Sequence, residues 1–143
     1  MRKIIFCLLA FCLIFSLFGC NSDKQIQIST DLGDFKVLRS RFLDNYDTIK
    51  PADGSKLFTA EMEAPAEFDE TQYHSYFMPE NSAAACVIIN GTEYNCVATA
   101  LQGPPDGNRI EYVLLFEVPA NTDPKTTISL KVPGGNAVII YTK

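Results

Sequence analysis

From residue 26 onward the chain alternates between apolar and polar side chains in short segments. A period of two residues is typical of a β-strand that buries one face. No comparable helical period follows Gln25, so the pattern predicts an all-β protein. The alternating segments, named by their apolar positions, are Ile26 and Ile28; Phe35 and Val37; Phe58, Ala60 and Met62; Ile110, Tyr112, Leu114, Phe116 and Val118; and Ile128, Leu130 and Val132, with Val138–Tyr141 closing the chain.

Clusters of Pro, Gly, Asp and Asn separate these segments and are typical of turns. Their spacing favours an antiparallel β-sandwich of about seven to nine short strands, formed by residues 26–143. The stretch from Glu61 to Glu80 is the least regular part, with many acidic residues, two prolines and an aromatic group. We expect this stretch to form a loop with one edge strand.

The dipeptide Asn90-Gly91 lies between two β-rich runs and predicts a two-residue type I′ hairpin, because both turn positions need positive φ. In that register Cys96 lies on the apolar face, opposite Ala85, and Cys86 lies on the other face. Side chains on opposite faces of a sheet point apart, so we expect the two cysteines to be unpaired. A three-residue loop would instead place them opposite each other, and a disulfide is then the alternative.

The N-terminus has the layout of a secretory signal, with a positive start at Met1–Lys3 and an apolar run of 15 residues at Ile4–Phe18. A membrane-spanning helix needs roughly 20 apolar residues, so this run is short for one. The end of the run, Leu17–Cys20, resembles the lipobox of bacterial lipoproteins. The resemblance implies cleavage between Gly19 and Cys20 and a diacylglyceryl thioether on Cys20. An ordinary signal peptide with an incidental cysteine is the alternative.

These features divide the chain into a signal peptide with a signal helix (residues 1–19), a lipidated cysteine with a short polar tether (20–25) and the β-sandwich (26–143). We expect the mature protein to be lipid-anchored on the extracytoplasmic face of a cell membrane.

Three segments of the sandwich resemble the DUF4352 family, namely Gly54–Met62, Asn90–Tyr94 and Leu115–Pro119. The similarity runs in order over about residues 26–141. It implies an immunoglobulin-like, telokin-like β-sandwich of the kind found in bacterial lipoproteins. It implies no catalytic residues.

The charge balance is acidic, with 17 acidic and 12 basic residues and a formal net charge of -5. Loss of the signal peptide removes Arg2 and Lys3, which leaves 10 basic residues against 17 acidic ones and a net charge of -7. Nucleic-acid binding requires a basic face that neutralises phosphates, so we expect no nucleic-acid partner.

Candidate catalytic or metal-binding groups are few. His74 is the only histidine, and no nucleophile motif accompanies it. Glu61 and Glu63 share one strand face, where a carboxylate pair suits glycoside hydrolysis, although an outward face favours solvated charge. We expect no enzyme activity, no metal and no cofactor; calcium or small-ligand binding, or a carboxylate-dependent hydrolase, are the alternatives. The loop residues with oxygen ligands that calcium prefers are Asp31, Asp34, Asp44, Asn45, Asp47 and Asp53.

Aromatic residues provide the best candidate for a binding site. Tyrosine combines apolar area with a polar tip, which suits recognition. We predict an exposed contact site at Tyr73, Tyr76 and Phe77, with Tyr46 as a further candidate; packing in the core or on an edge strand is the alternative. The expected function is a non-catalytic binding or structural role, with the membrane as one partner through Cys20 and an envelope protein or polymer as another.

Overall fold

The structure is a computed structural model that describes residues 25–103 and 109–143. The predicted signal peptide, Gly19, Cys20 and most of the tether lie outside the described residues. No helix in the described ranges has the length and apolar character needed to cross a membrane.

Eight β-strands and one short α-helix make up the described chain. A 3-10 turn at Glu70–Gln72 leads directly into the helix. In chain order the elements are β1 (Gln27–Thr30), β2 (Gly33–Leu43), β3 (Ser55–Glu63), α1 (Tyr73–Phe77), β4 (Cys86–Ile89), β5 (Thr92–Gln102), β6 (Glu111–Pro119), β7 (Ile128–Lys131) and β8 (Val138–Tyr141).

All strand pairs are antiparallel, in the order β1-β2-β3-β6-β5-β4-β7-β8. Strands β4, β5 and β6 pair consecutively, and β7 returns to pair with β4, which makes a Greek key. The sheet folds into two layers, with β1-β2-β3-β6 in one and β4-β7-β8 in the other. The expected all-β sandwich is therefore confirmed, as a nearly closed sheet of eight strands.

Strand β5 belongs to both layers of the sandwich. Its first half, up to Asn95, pairs with β4, and its second half, from Cys96, pairs with β6. A register shift between Cys96 and Ala98 marks the transition. Bulges bend a strand and increase its twist, which allows one strand to continue from one layer into the other.

The predicted hairpin is confirmed. Asn90 and Gly91 have φ values of 50° and 81°, as a type I′ turn requires. The predicted register also holds, because Cys86 pairs with Asn95, and the Cys96 amide donates to the Ala85 carbonyl at 2.7 Å. Both cysteines are free, as expected.

The core lies between the two layers and contains the even-numbered apolar residues of β3 and β6, such as Phe58 and Phe116, which are fully buried. A smaller cluster lies on the outer face of the same strands, at Leu57, Val113 and Leu115. Tyr46, on the loop between β2 and β3, packs against this second cluster. Strands β3 and β6 are thus buried on both faces, and the loop covers part of what would otherwise be a solvent-facing side.

The segment between β3 and β4 differs from the prediction. After Glu63 it forms the 3-10 turn and α1, so the expected edge strand is wrong. The side chain of Asp69 accepts a hydrogen bond from the Thr71 amide at 3.0 Å and caps the turn. Tyr73 and Phe77 are four residues apart, so they share the face of α1 that points into the core.

Candidate functional site

One end of the sandwich collects α1, the turn between β1 and β2, and the turn at Pro133–Gly135. We call it the α1 end. The opposite end carries the Asn90-Gly91 turn, the beginning of β3 at Ser55 and the end of β6 at Pro119, which pair with each other. The predicted aromatic contact site therefore lies at the α1 end.

Two of the three predicted contact residues are core residues. Tyr73 is 3% exposed and Phe77 is 0% exposed. Both rings pack edge-on or tilted against Phe35, at centroid distances of 6.5 Å for Tyr73 and 5.4 Å for Phe77. The prediction that these two side chains are exposed is therefore wrong, because the helical turn directs them inward to close the end of the sandwich.

Tyr76 lies at the edge of the same helix and is half-buried. Its hydroxyl donates to the Pro133 carbonyl at 3.2 Å and accepts from the Asp31 amide at 3.4 Å. On the other side of α1, the exposed His74 contacts the Thr99 hydroxyl through Nδ1 at 2.9 Å. The helix is therefore fixed to both layers by polar contacts at the surface, above its buried aromatic face.

Three neighbouring clefts form a line at the α1 end, with volumes of about 460, 250 and 200 Å³, and residues of α1 line the first and the third. The first and second share Ser82, and the second and third share Pro133 and Gly134. We refer to the three together as the α1 groove. The first cleft is lined by His74, Ser75 and Met78–Ser82, the second by Ser82–Ala84, Cys86, Glu93, Asn95 and Lys131–Gly134, and the third by Ser29–Asp31, Tyr76 and Pro133–Gly135.

The middle cleft contains a thiol next to an ion pair. Cys86 is 4% exposed, and burial is the main cause that raises its pKa, with a smaller contribution from Glu93 that Lys131 opposes. The Lys131 ammonium donates to the Glu93 carboxylate at 3.2 Å. At neutral pH the thiol is therefore protonated, and the cleft combines a neutral sulfur atom with both signs of charge.

The outer face of β2, β3 and β6 carries a network of ion pairs centred on Glu61. Its carboxylate accepts from Arg39 Nε at 2.7 Å, from Arg39 Nη2, and from Arg41 Nε at 2.9 Å. Glu61 is fully buried, so the interpretation of this residue as solvated charge is wrong. The two arginines cover the carboxylate, and its hydrogen bond raises the pKa of Arg39. The arrangement is that of a structural ion pair.

The network continues on both sides of Glu61. Glu63 accepts from Lys36 at 3.2 Å and from Arg109 at 3.1 Å. Glu111 lies 3.8 Å from both Arg39 and Arg109. Glu61 and Glu63 do share a face, as predicted, and each carboxylate is paired with two basic side chains.

Tyr46 is half-buried on the loop that covers the outer cluster, and its hydroxyl donates to Gln102 at 3.2 Å. Among the described residues, no three His, Cys, Asp or Glu side chains come together as metal ligands. Of the six Asp and Asn residues considered for calcium, Asp31 lies in the β1–β2 turn, Asp34 lies in β2, and the other four lie on the loop between β2 and β3.

Comparisons of the chain with protein-family models, with curated proteins and with solved structures found no significant match. The resemblance to the DUF4352 family stays a prediction.

Proposed function

We propose that the protein is an extracytoplasmic lipoprotein, anchored to a membrane through Cys20, whose β-sandwich acts by binding and not by catalysis. The lipobox-like Leu17–Cys20 supports the anchor. The fold supports the division of the chain, because β1 begins at Gln27, seven residues after Cys20. The partner is an envelope protein or polymer.

The observation that carries the binding role is the α1 groove. Its walls present hydroxyl, amide, imidazole and carboxylate groups beside the apolar Met78 and Pro79. Apolar area with a few convergent polar groups is typical of binding sites. The loops at one end of a sandwich are also the usual location of recognition surfaces. An extended segment of a peptide or a polymer matches a line of three clefts better than a compact ligand does.

The direction of β1 supports access to this groove. The strand runs from Gln27 to Thr30, and its turn into β2 lies at the α1 end. The tether joins the chain at the other end of β1. An anchor at Cys20 therefore joins the domain at the end of β1 that is farther from the turn in the α1 groove.

Site-specific photo-cross-linking in the native envelope tests this proposal. A photoreactive residue at Ser75, in the groove, is compared with one at Lys125, an exposed position on the loop before β7. We expect a discrete cross-linked product from Ser75 and none from Lys125. Asn81→Arg, at an exposed position in the groove, should abolish the product without lowering the melting temperature. Equal products from Ser75 and Lys125 would show that the groove is not the site.

The middle cleft favours a second candidate, the binding of a small polar ligand. Its 250 Å³ volume is lined by Cys86 and by the charged pair of Glu93 and Lys131. A zwitterionic small molecule would match two opposite charges at this spacing. A rise in melting temperature with such compounds, lost in Lys131→Met, would support this candidate over a macromolecular partner.

A further inference from the structure

Strand β2 carries a row of cations without a carboxylate among them. The strand contains Lys36, Arg39 and Arg41, and its one acidic residue, Asp34, precedes all three. The three side chains lie on one face although their numbers differ in parity. The register shift between Val37 and Arg39 inserts one extra residue into β2. Beyond it, the odd-numbered side chains lie on the face that Lys36 occupies before it.

The cationic groups of β2 lie nearer to solvent than the carboxylates that they contact. The side chains of Lys36, Arg39 and Arg41 are 40%, 50% and 40% exposed, whereas Glu61 is 0% and Glu63 is 31% exposed. Within the described residues, Arg41 uses only Nε in its contact with Glu61. Its Nη atoms retain donors that match the geometry of phosphate oxygens.

The position of the tether brings this strand next to the proposed anchor. Gln27 pairs directly with Lys36, so the chain enters the fold along β2. Seven residues reach at most about 24 Å when fully extended. The distance along β2 from Lys36 to Leu43 is about the same, at about 3.4 Å per residue. A tether of this length therefore allows β2 to reach the surface of the membrane that holds Cys20.

We propose that the cationic row of β2 docks on anionic phospholipid headgroups of the membrane that holds Cys20. This inference rests on the proposed lipid anchor. Lysine and arginine side chains near an anionic surface bind it electrostatically, and salt screens the attraction. Asp34 at the start of β2 and Asp44 and Asp47 on the loop after it oppose the docking, so their charge limits its strength.

The test uses the mature lipidated protein in phosphatidylcholine vesicles with or without phosphatidylglycerol. The rate of lysine acylation is measured at Lys36 and, as an internal control, at the exposed Lys125. We expect anionic vesicles to slow acylation of Lys36 but not of Lys125, and high salt to remove the difference. Arginine modification by a dicarbonyl reagent reports the same effect at Arg41.

Variants test the role of charge. Lys36→Gln should reduce the protection of Arg41 by up to about fivefold, since one cation near the surface contributes about that factor. The matched control Lys125→Gln should leave the protection of Arg41 unchanged, and Asp47→Asn should increase it.

Flotation separates this inference from the anchor itself. Lipidated protein floats with neutral vesicles whatever its surface charge, so failure to float would contradict the anchor and the docking together. Flotation with equal acylation of Lys36 in neutral and anionic vesicles would overturn the docking alone. Protection that resists high salt would also overturn it, because the contact would not be electrostatic.

Discussion

Replacing Glu61 should destabilise the domain far more than replacing Glu63, although the two carboxylates lie on one strand face and both bind cations. The Glu61 carboxylate is fully buried and accepts hydrogen bonds from two arginines. Breaking a buried ion pair by removing one partner costs about 3–5 kcal/mol. The two arginines that lose their partner are 40–50% exposed, so water solvates them. The cost therefore falls at the lower end of this range of free energies. We expect Glu61→Ala to lower the free energy of unfolding by about 3 kcal/mol.

Glu63→Ala is the matched control, because it deletes the same atoms from a partly exposed carboxylate with two cationic partners. Exposed ion pairs contribute about 0–1 kcal/mol. Urea unfolding of both variants gives the difference, which we expect to be about 2 kcal/mol. Glu61→Gln keeps the side-chain volume and removes the charge, so it separates the contribution of the ion pair to stability from the contribution of packing. Equal losses for Glu61→Ala and Glu63→Ala would refute the buried ion pair.

Three further predictions concern single side chains. The Tyr73 hydroxyl is buried without a hydrogen-bond partner in the described structure. Tyr73→Phe should therefore keep or raise the melting temperature. A loss of more than about 1 kcal/mol in the free energy of unfolding would instead show that the hydroxyl binds a partner such as water. Burial raises the pKa of Cys96 to about 12. The protonated thiol is thus favoured in the folded state, and its contribution to stability is present below about pH 9 and is lost as the pH rises toward about 12. Cys96→Ala should make this alkaline decline shallower in pH-dependent urea unfolding, and an unchanged slope would exclude the thiol as its source. Cys20→Ser should leave a larger precursor without acyl groups by intact mass, whereas wild-type protein found soluble and unacylated would contradict the anchor.

Local rules were sufficient to predict most of the strands. Alternation identified β3, β6 and β7, and the Asn90-Gly91 turn determined the register of β4 against β5. The same register correctly separated Cys86 from Cys96. These features depend only on residues that are neighbours in sequence or are joined by a two-residue turn. A sequence pattern is therefore sufficient to predict them.

The helix α1 was missed because its stability is not local. Five residues are too few to form a helix alone, and burial of Tyr73 and Phe77 against Phe35 provides the stabilisation. The spacing of four between the two aromatics, after a capping Asp69, was the available signal. The sequence does not show what covers the end of the sandwich, so the pattern alone indicates a group of surface aromatics.

The burial of Glu61 also depends on distant residues. The alternation placed its side chain on the correct face, but Arg39 and Arg41 reach that face only because of the register shift in β2. A bulge of one residue leaves little trace in a hydrophobic pattern. The sequence pattern does not predict the cationic row that includes Lys36 for the same reason, since an even and an odd position do not share a face of a regular strand.

The continuity of strand β5 couples the unfolding of the two layers. Because one strand supplies hydrogen bonds to both layers, opening either layer removes hydrogen-bond partners from the strands of the other. The layers therefore behave as one cooperative unit, and amide exchange in β4 and β6 should report the same opening free energy. The bulge between Cys96 and Ala98 lies at the junction of the layers, so straightening it would disconnect them and convert a single unfolding transition into two.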